Sequence, residues 1–433
     1  MNNLQAVFLS AIFASGTALA AEQGGRAGAQ TPTSRNQQQS LTERRYSQQD
    51  RSFAVSVVRS ATAIEGMNPQ DRLRVLAAAA SVVSPIRPGM AKSFSREGLR
   101  IEQDLIQRGE SPAVSMINSG AIDCRGVVSL VENIPAQRIN AAEQSIIGGV
   151  TRCSQSLPAA QRLVATGLDQ RSVAPRAVLA VMERTGLRSA WSQEQFEKLF
   201  ASLPSNAEES AREAPNFAAM YARVAPEMTK DDASQAGLEL LAWLTRLNAS
   251  ATRNLAVNIT TDAMKSALGD AAYAHALATD VAAQQIAQTA GQKGEVEHHP
   301  EESASVLQAL SRRGTDRFTE LKAMAPSQRA REAAASGFAE GTDGDRNLAQ
   351  QYFAVAFSAL DELWKDRDAH PDAHLVIQEV SEAAAQVNPV AALKRTQQLS
   401  DPAAQAIGMV AVARVVANRP ETSSASARER QSR

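Results

Sequence analysis

His370-Pro371-Asp372-Ala373-His374 places two histidines four residues apart, with Asp366 and Asp368 upstream. On one helical face that spacing makes a metal pair, because side chains at i and i+4 lie one above the other. Two features oppose it. Pro371 starts a helix more readily than it continues one, which leaves His370 at the cap. No third strong ligand follows at a recognised spacing. His370 and His374 therefore stand as metal candidates beside the alternative of a polar interhelical loop. His298-His299 lies among Glu295, Glu297, Glu301 and Glu302, but adjacent side chains of a regular helix do not face one ion. A solvated hinge is the simpler reading there. Asp343, Asp345 and Asn347 are spaced as in a calcium loop, yet Leu348 stands in the turn glycine's place and Ala354 in the bidentate glutamate's. The expectation is a loop ending in an N-cap before Leu348.

Cys124 and Cys153 are the only cysteines, a pairable number in an exported chain. Ala121 to Glu132 reads as a helix, Asn133-Ile134-Pro135 as a turn, and Ala136 to Ile147 as a second helix. An antiparallel hairpin brings the start of the first arm near the end of the second. Continued to Cys153, the second arm overruns by about 10 Å at 1.5 Å per residue. Gly148-Gly149 is the expected break that lets the chain fold back. Two buried free thiols are the alternative.

Other chemistry finds little footing. The chain has no G-x-S-x-G, no H-E-x-x-H, no phosphate loop and no dinucleotide fingerprint, so no cofactor is expected. Glu110-Ser111, Ala113-Val114-Ser115 and Ser119-Gly120-Ala121 are similar in flavour to the catalytic segment of soluble lytic transglycosylases. That resemblance implies an α-superhelical enzyme cutting peptidoglycan, with Glu110 as general acid. The segment departs from the family in the spacing from Glu-Ser to Ala-Val-Ser. It departs again where the family's Gly-Leu-Met-Gln is replaced by Asp123-Cys124-Arg125-Gly126. A net charge of −1 sets up no global field for nucleic acid, and aromatics at 4% are sparse for stacking bases or sugars. Arginine outnumbers lysine 37 to 8, but the arginines are scattered and balanced by acids.

The elements that would position any site read as helices almost throughout. Leu4 to Ala20 is an apolar run ending in Ala18-Leu19-Ala20, which fits a secretory signal peptide cleaved after Ala20. Met1-Asn2-Asn3 carries no lysine or arginine, and an uncleaved anchor is the alternative. No later stretch is long and charge-free enough to span a membrane. Residues 21–50 are polar and read as a disordered leader, and 420–433 as a disordered tail. An N-terminal helical array is expected over 51–190 and a region of long helices over 191–290. A polar hinge follows at 291–303, then a C-terminal array of helical hairpins at 304–419. Ser192 and Gln195 form a capping-box pattern before FEKLF.

Proline at the first helical position recurs. After Pro69, Pro326 and Pro402 the residues at offsets 4, 7, 8 and 11 are apolar or glycine, one stripe of an amphipathic helix. The helix from Pro402 is expected to cap the fold, with Gln405, Gly408 and Arg414 towards water. No strict repeat underlies this grammar. It resembles the degenerate helical-hairpin arrays of the tetratricopeptide and HEAT class, best over 300–419 and loosely over 53–190. The expected fold is all-α, an irregular array of antiparallel helical hairpins without β-sheet. The resemblance implies an α-solenoid whose concave face holds a peptide or protein. The expected role is an exported, periplasmic or secreted, non-enzymatic scaffold or binding protein. Its partner would be another envelope protein or an extended peptide. Trp191, Trp243 and Trp364 are the candidate groove aromatics, with core packing between helices as the alternative.

Overall fold

The computed structural model describes residues 48–172, 174–201, 203, 207–291 and 315–418. The expected signal peptide, all but the first residue of the expected hinge at 291–303, residues 304–314 and the expected tail at 420–433 lie outside them, as does the expected leader up to residue 47. Among the described residues there are nineteen α-helices and no strand. The all-α expectation is met. No helix among them is long and apolar enough to cross a membrane.

The chain divides into two compact units. One holds α1 (Gln48–Thr62) together with the C-terminal helices: α14 (Thr315–Ala323), α15 (Pro326–Asp343), α16 (Arg346–Lys365), α17 (Ala373–Val387), α18 (Pro389–Thr396) and α19 (Pro402–Ala417). The other runs from α2 (Pro69–Val83) and α3 (Pro88–Arg108) through α4 (Cys124–Glu132), α5 (Glu143–Arg152), α6 (Leu157–Asp169) and α7 (Pro175–Thr185). It continues with α8 (Ala190–Ala201), α9 (Ala207–Val224), α10 (Lys230–Thr245), α11 (Ala251–Leu268), α12 (Asp270–Ala278) and α13 (Val281–Gly291).

The proline grammar is structural. Pro69, Pro175, Pro326, Pro389 and Pro402 each open a helix. There the missing N–H is no loss, because the first-turn donors have no intrahelical partner. Asn68, Asn388 and Asp401 cap the helices that follow by accepting first-turn N–H bonds. The stripes after Pro69, Pro326 and Pro402 are buried at every position except the half-buried Ala77.

In the first unit α15 and α16 form an antiparallel hairpin, and α16 lays Tyr352, Phe353, Ala356, Leu360 and Leu363 into the core. The helix α19 is not a terminal cap. It is apolar on every side, and α17, α18 and α1 all pack against it. Gly408, expected in water, is buried, and a Cβ there would sit 2.8 Å from Thr396 and 3.0 Å from Ser381. Gln405 and Arg414 are only partly exposed. The cover comes in part from α1, which begins at Gln48, inside the stretch 21–50 expected as a leader.

In the second unit α2 pairs with α3, and a larger core runs from α4 to α13. The end of the expected long-helix region at 191–290 holds two short helices, because Asp280 accepts from the N–H groups of Ala282 and Ala283 and so starts a new helix. The expected capping box at Ser192 and Gln195 falls inside α8. The cap is Ser189, whose hydroxyl accepts from Ser192 N at 3.2 Å. Gln195 is 1% exposed.

Candidate functional site

The cysteines meet, by a route different from the expected one. The arms α4 and α5 are 9 and 10 residues long, so no overrun arises. The second arm starts only at Glu143, after a short 3-10 turn at Ala136–Arg138. Cys124 opens α4, Cys153 follows α5, and their Cα atoms are 5.5 Å apart, at disulfide distance. Gly148 and Gly149 are not a break. They lie within α5 as the surface on which its neighbours rest: a Cβ on Gly149 would meet Val131 at 2.9 Å, and one on Gly148 would meet Ile117 at 3.3 Å.

The histidine pair does not share a helical face. The helix α17 begins at Ala373, so His370 lies in the preceding turn and His374 in the first helical turn. Among the described residues no three His, Cys, Asp or Glu side chains gather as a metal site. His298 and His299 lie outside those residues. In the calcium-like loop Gly344 adopts the left-handed conformation that ends α15, and Asp345 caps α16 by accepting from Leu348 N at 3.0 Å. Glu110 is half exposed and ion-paired with Arg108 at 2.8 Å. It has none of the dry surroundings that a glycosidic general acid needs.

The tryptophans go to the core. Trp243 is 5% exposed and meets Phe217 edge-on at 5.5 Å, and Trp364 is 6% exposed beneath the Arg367 guanidinium. Trp191 is partly buried against the same core as Trp243. Large rings fill interhelical gaps at the greatest gain in buried area, and that outweighs a groove role.

A groove exists elsewhere in the second unit, with a volume of about 540 Å³. Its floor is phenylalanine: Phe196 and Phe200, one turn apart on α8, stack at 4.3 Å. Val224 at the end of α9 and Met228 in the turn before α10 extend the floor. One wall is α10. Asp232, Gln235, Ala236 and Glu239 follow the i, i+3, i+4, i+7 rule and share one face. Thr229 sets the start of that wall, since its hydroxyl caps α10 by accepting from Asp232 N and donates to the Asp232 carboxylate at 2.6 Å. Tyr221 ties α9 to α10 through its hydroxyl, which donates to Ala233 O at 2.7 Å. Burial pushes that phenol well above its ordinary range, so it remains a donor.

The rim is acidic. Glu197, Glu227, Asp232 and Glu239 line the groove, and among the described residues no lysine or arginine does. Arg188 neutralises Glu227, while Asp232 and Glu239 take neutral donors, Thr229 and Gln235. A shallower depression shares Gln235 and Glu239 and adds Asp231 and Asp280. Together they make an apolar floor leading into a carboxylate-lined track. The sequence carried the signal in DDASQAGLE, whose acids return at helical spacing, but the floor needed the fold.

A second residue that sequence reading missed is Glu102, fully buried on α3. Its carboxyl accepts from Met116 N at 2.8 Å and from the Ser145 hydroxyl at 2.6 Å. Burial raises its pKa and those hydrogen bonds oppose the rise. It joins α3, the 112–120 loop and α5, and it lines neither depression. No protein-family model, curated protein or solved structure matches this chain.

Proposed function

We propose that the protein is an exported, non-enzymatic helical binding protein of the cell envelope. Its groove between α8 and α10 holds an extended cationic segment of another protein. The observation that carries this reading is the pairing of a phenylalanine floor with a rim of carboxylates of which, among the described residues, only Glu227 meets an arginine, Arg188. Arginine or lysine side chains fit such a site twice over, with apolar stems on the floor and charged heads at the rim. The continuation past Asp231 and Asp280 favours an extended segment over a small molecule. Export rests on the Leu4–Ala20 segment, and N-terminal sequencing of the mature protein starting at Ala21 would support it. The peptidoglycan alternative has no observation in its favour now that Glu110 lies in water beside Arg108.

The test is fluorescence anisotropy with labelled peptides on the full mature chain. A peptide alternating arginine and leucine should bind, and its glutamate–leucine and arginine–serine counterparts should bind at least about tenfold more weakly. The double variant Glu197→Arg, Glu239→Arg should lose about tenfold or more, since each close charge contact is worth about 1 kcal/mol or more at a partly buried site. Equal binding of the acidic peptide, or no effect of charge reversal, would end the proposal.

A further inference from the structure

The first unit contains a smaller cavity of about 220 Å³ with the opposite character. It lies where α16, α17 and the start of α18 converge. Its apolar wall includes Phe353, Ala384, Val387 and Ala392. Two arginines line it, Arg346 from the first turn of α16 and Arg395 from the last turn of α18, and no carboxylate does among the described residues.

Among the described residues, neither guanidinium meets an acid. Arg395 donates to the backbone oxygen of Gln350 at 3.1 Å, which holds it against the wall, and among the described residues its side chain has no other hydrogen bond. Arg346 makes no side-chain ion pair or hydrogen bond among the described residues. Its sequence neighbour Asp345 is occupied in capping α16. This contrasts with Arg317, Arg329, Arg331 and Arg414 of the same unit, each paired with a glutamate. Burial pulls the Arg395 guanidinium below its ordinary value, because no anion offsets the desolvation. It stays charged at neutral pH.

We propose that this cavity binds a carboxylate carrying one small apolar group, the carboxylate between Arg346 and Arg395 and the apolar group against Phe353 and Val387. A planar guanidinium matches a carboxylate two bonds at a time. The size sets the class. Drug-sized ligands occupy about 300–1,000 Å³, whereas this space suits a single residue-sized acid. The lining is mostly apolar, which favours a carboxylate over a phosphate with its shell of polar donors. Such an acid comes either as a free small carboxylic acid or as the last residue of a chain.

Isothermal titration calorimetry on the full mature protein at low ionic strength tests this with N-acetyl-leucine, N-acetyl-leucinamide, inorganic phosphate and the tripeptide Ac-Ala-Ala-Leu with a free C-terminus. N-acetyl-leucine should bind at least about tenfold tighter than its amide and than phosphate. Arg346→Gln and Arg395→Gln should each weaken it about tenfold. Ala391→Phe, which fills the cavity and keeps both charges, should abolish binding and guards against an arginine variant that fails to fold. A tripeptide tighter than N-acetyl-leucine identifies a chain terminus as the source, and equal affinity identifies the free acid. Equal binding of acid and amide, equal binding of phosphate, or unchanged binding in Ala391→Phe would overturn the proposal.

Discussion

Glu102 is a carboxyl with three hydrogen-bonding neighbours, Met116, Ser145 and Ser115, and no cation among them. Desolvation raises its pKa in the fold above the ordinary 4.5. The folded chain therefore binds that proton more tightly than the unfolded chain. The stabilisation is complete below the unfolded value and is lost as pH rises through the folded one. Within that window each pH unit costs about 1.4 kcal/mol. Glu102→Gln keeps the hydrogen-bonding shape of the neutral acid. It is expected to flatten the fall in urea stability from pH 4.5 towards neutral, and to match or exceed the parent at pH 7. A parallel slope in parent and variant would exclude the assignment. The cysteine pair gives a second expectation at this scale. Thiol titration of the unreduced, denatured protein should find no reactive group. Reduction should lower stability by about 3–4 kcal/mol on the chain-entropy account of a loop this long.

Among the helices, glycine decides where close packing is permitted. In α5, Gly149 faces Val131, whose β-branched side chain has little freedom to move. Gly149→Ala gains about 1 kcal/mol of helix propensity but brings a Cβ to 2.9 Å from that side chain. Overpacking of this kind costs about 1–3 kcal/mol, so the variant should unfold at lower urea by a net of about 1 kcal/mol. An unchanged or raised midpoint would show that α4 can retreat. The same position shows what the sequence could and could not tell. Gly148-Gly149 reads as a break, because local propensity is all a sequence window contains. Its use as a contact surface depends on Val131 and Ile117, which reach it through tertiary packing. The helix from Pro69, with its Asn68 cap and its stripe of Leu73, Leu76 and Ala80, was legible because cap and period agree, whereas the one stripe read after Pro402 understated a helix that is buried all round. The Ser192–Gln195 box failed because Ser189, three residues earlier, offered the same chemistry in better register. The groove was illegible for a related reason. Phe196 and Phe200 look like any buried stripe until α10 sets a wall of carboxylates beside them.

At the scale of the molecule, the two units each carry a depression of opposite character, one rimmed by acids and one by arginines. Net charge, at −1, hides both. This is why composition showed no global field for nucleic acid and said nothing about local fields. The packing of α1 on α19 gives the prediction that belongs here. Ending the chain after Thr396 removes a helix that is apolar on every side and leaves Ala54, Val57 and Val58 of α1 without that partner. The truncated chain should lose the cooperative unfolding of the first unit and bind a hydrophobic dye, while the second unit, held by its own core, still melts as a unit. A truncated chain with the full unfolding transition would refute the role given to α19.

That contact also sets a clock. The helices α1 and α19 are about 340 residues apart in sequence. At a synthesis rate of about 5–20 residues per second, α1 exists for tens of seconds before its partner is made. Once both ends are present, closing so long a loop adds little free energy beyond a shorter one, since the cost grows only as the logarithm of length. The delay is the larger hazard: an apolar stripe of Ala54, Val57, Val58 and Ala61 must wait, open to any passing surface, for a helix made about 340 residues later.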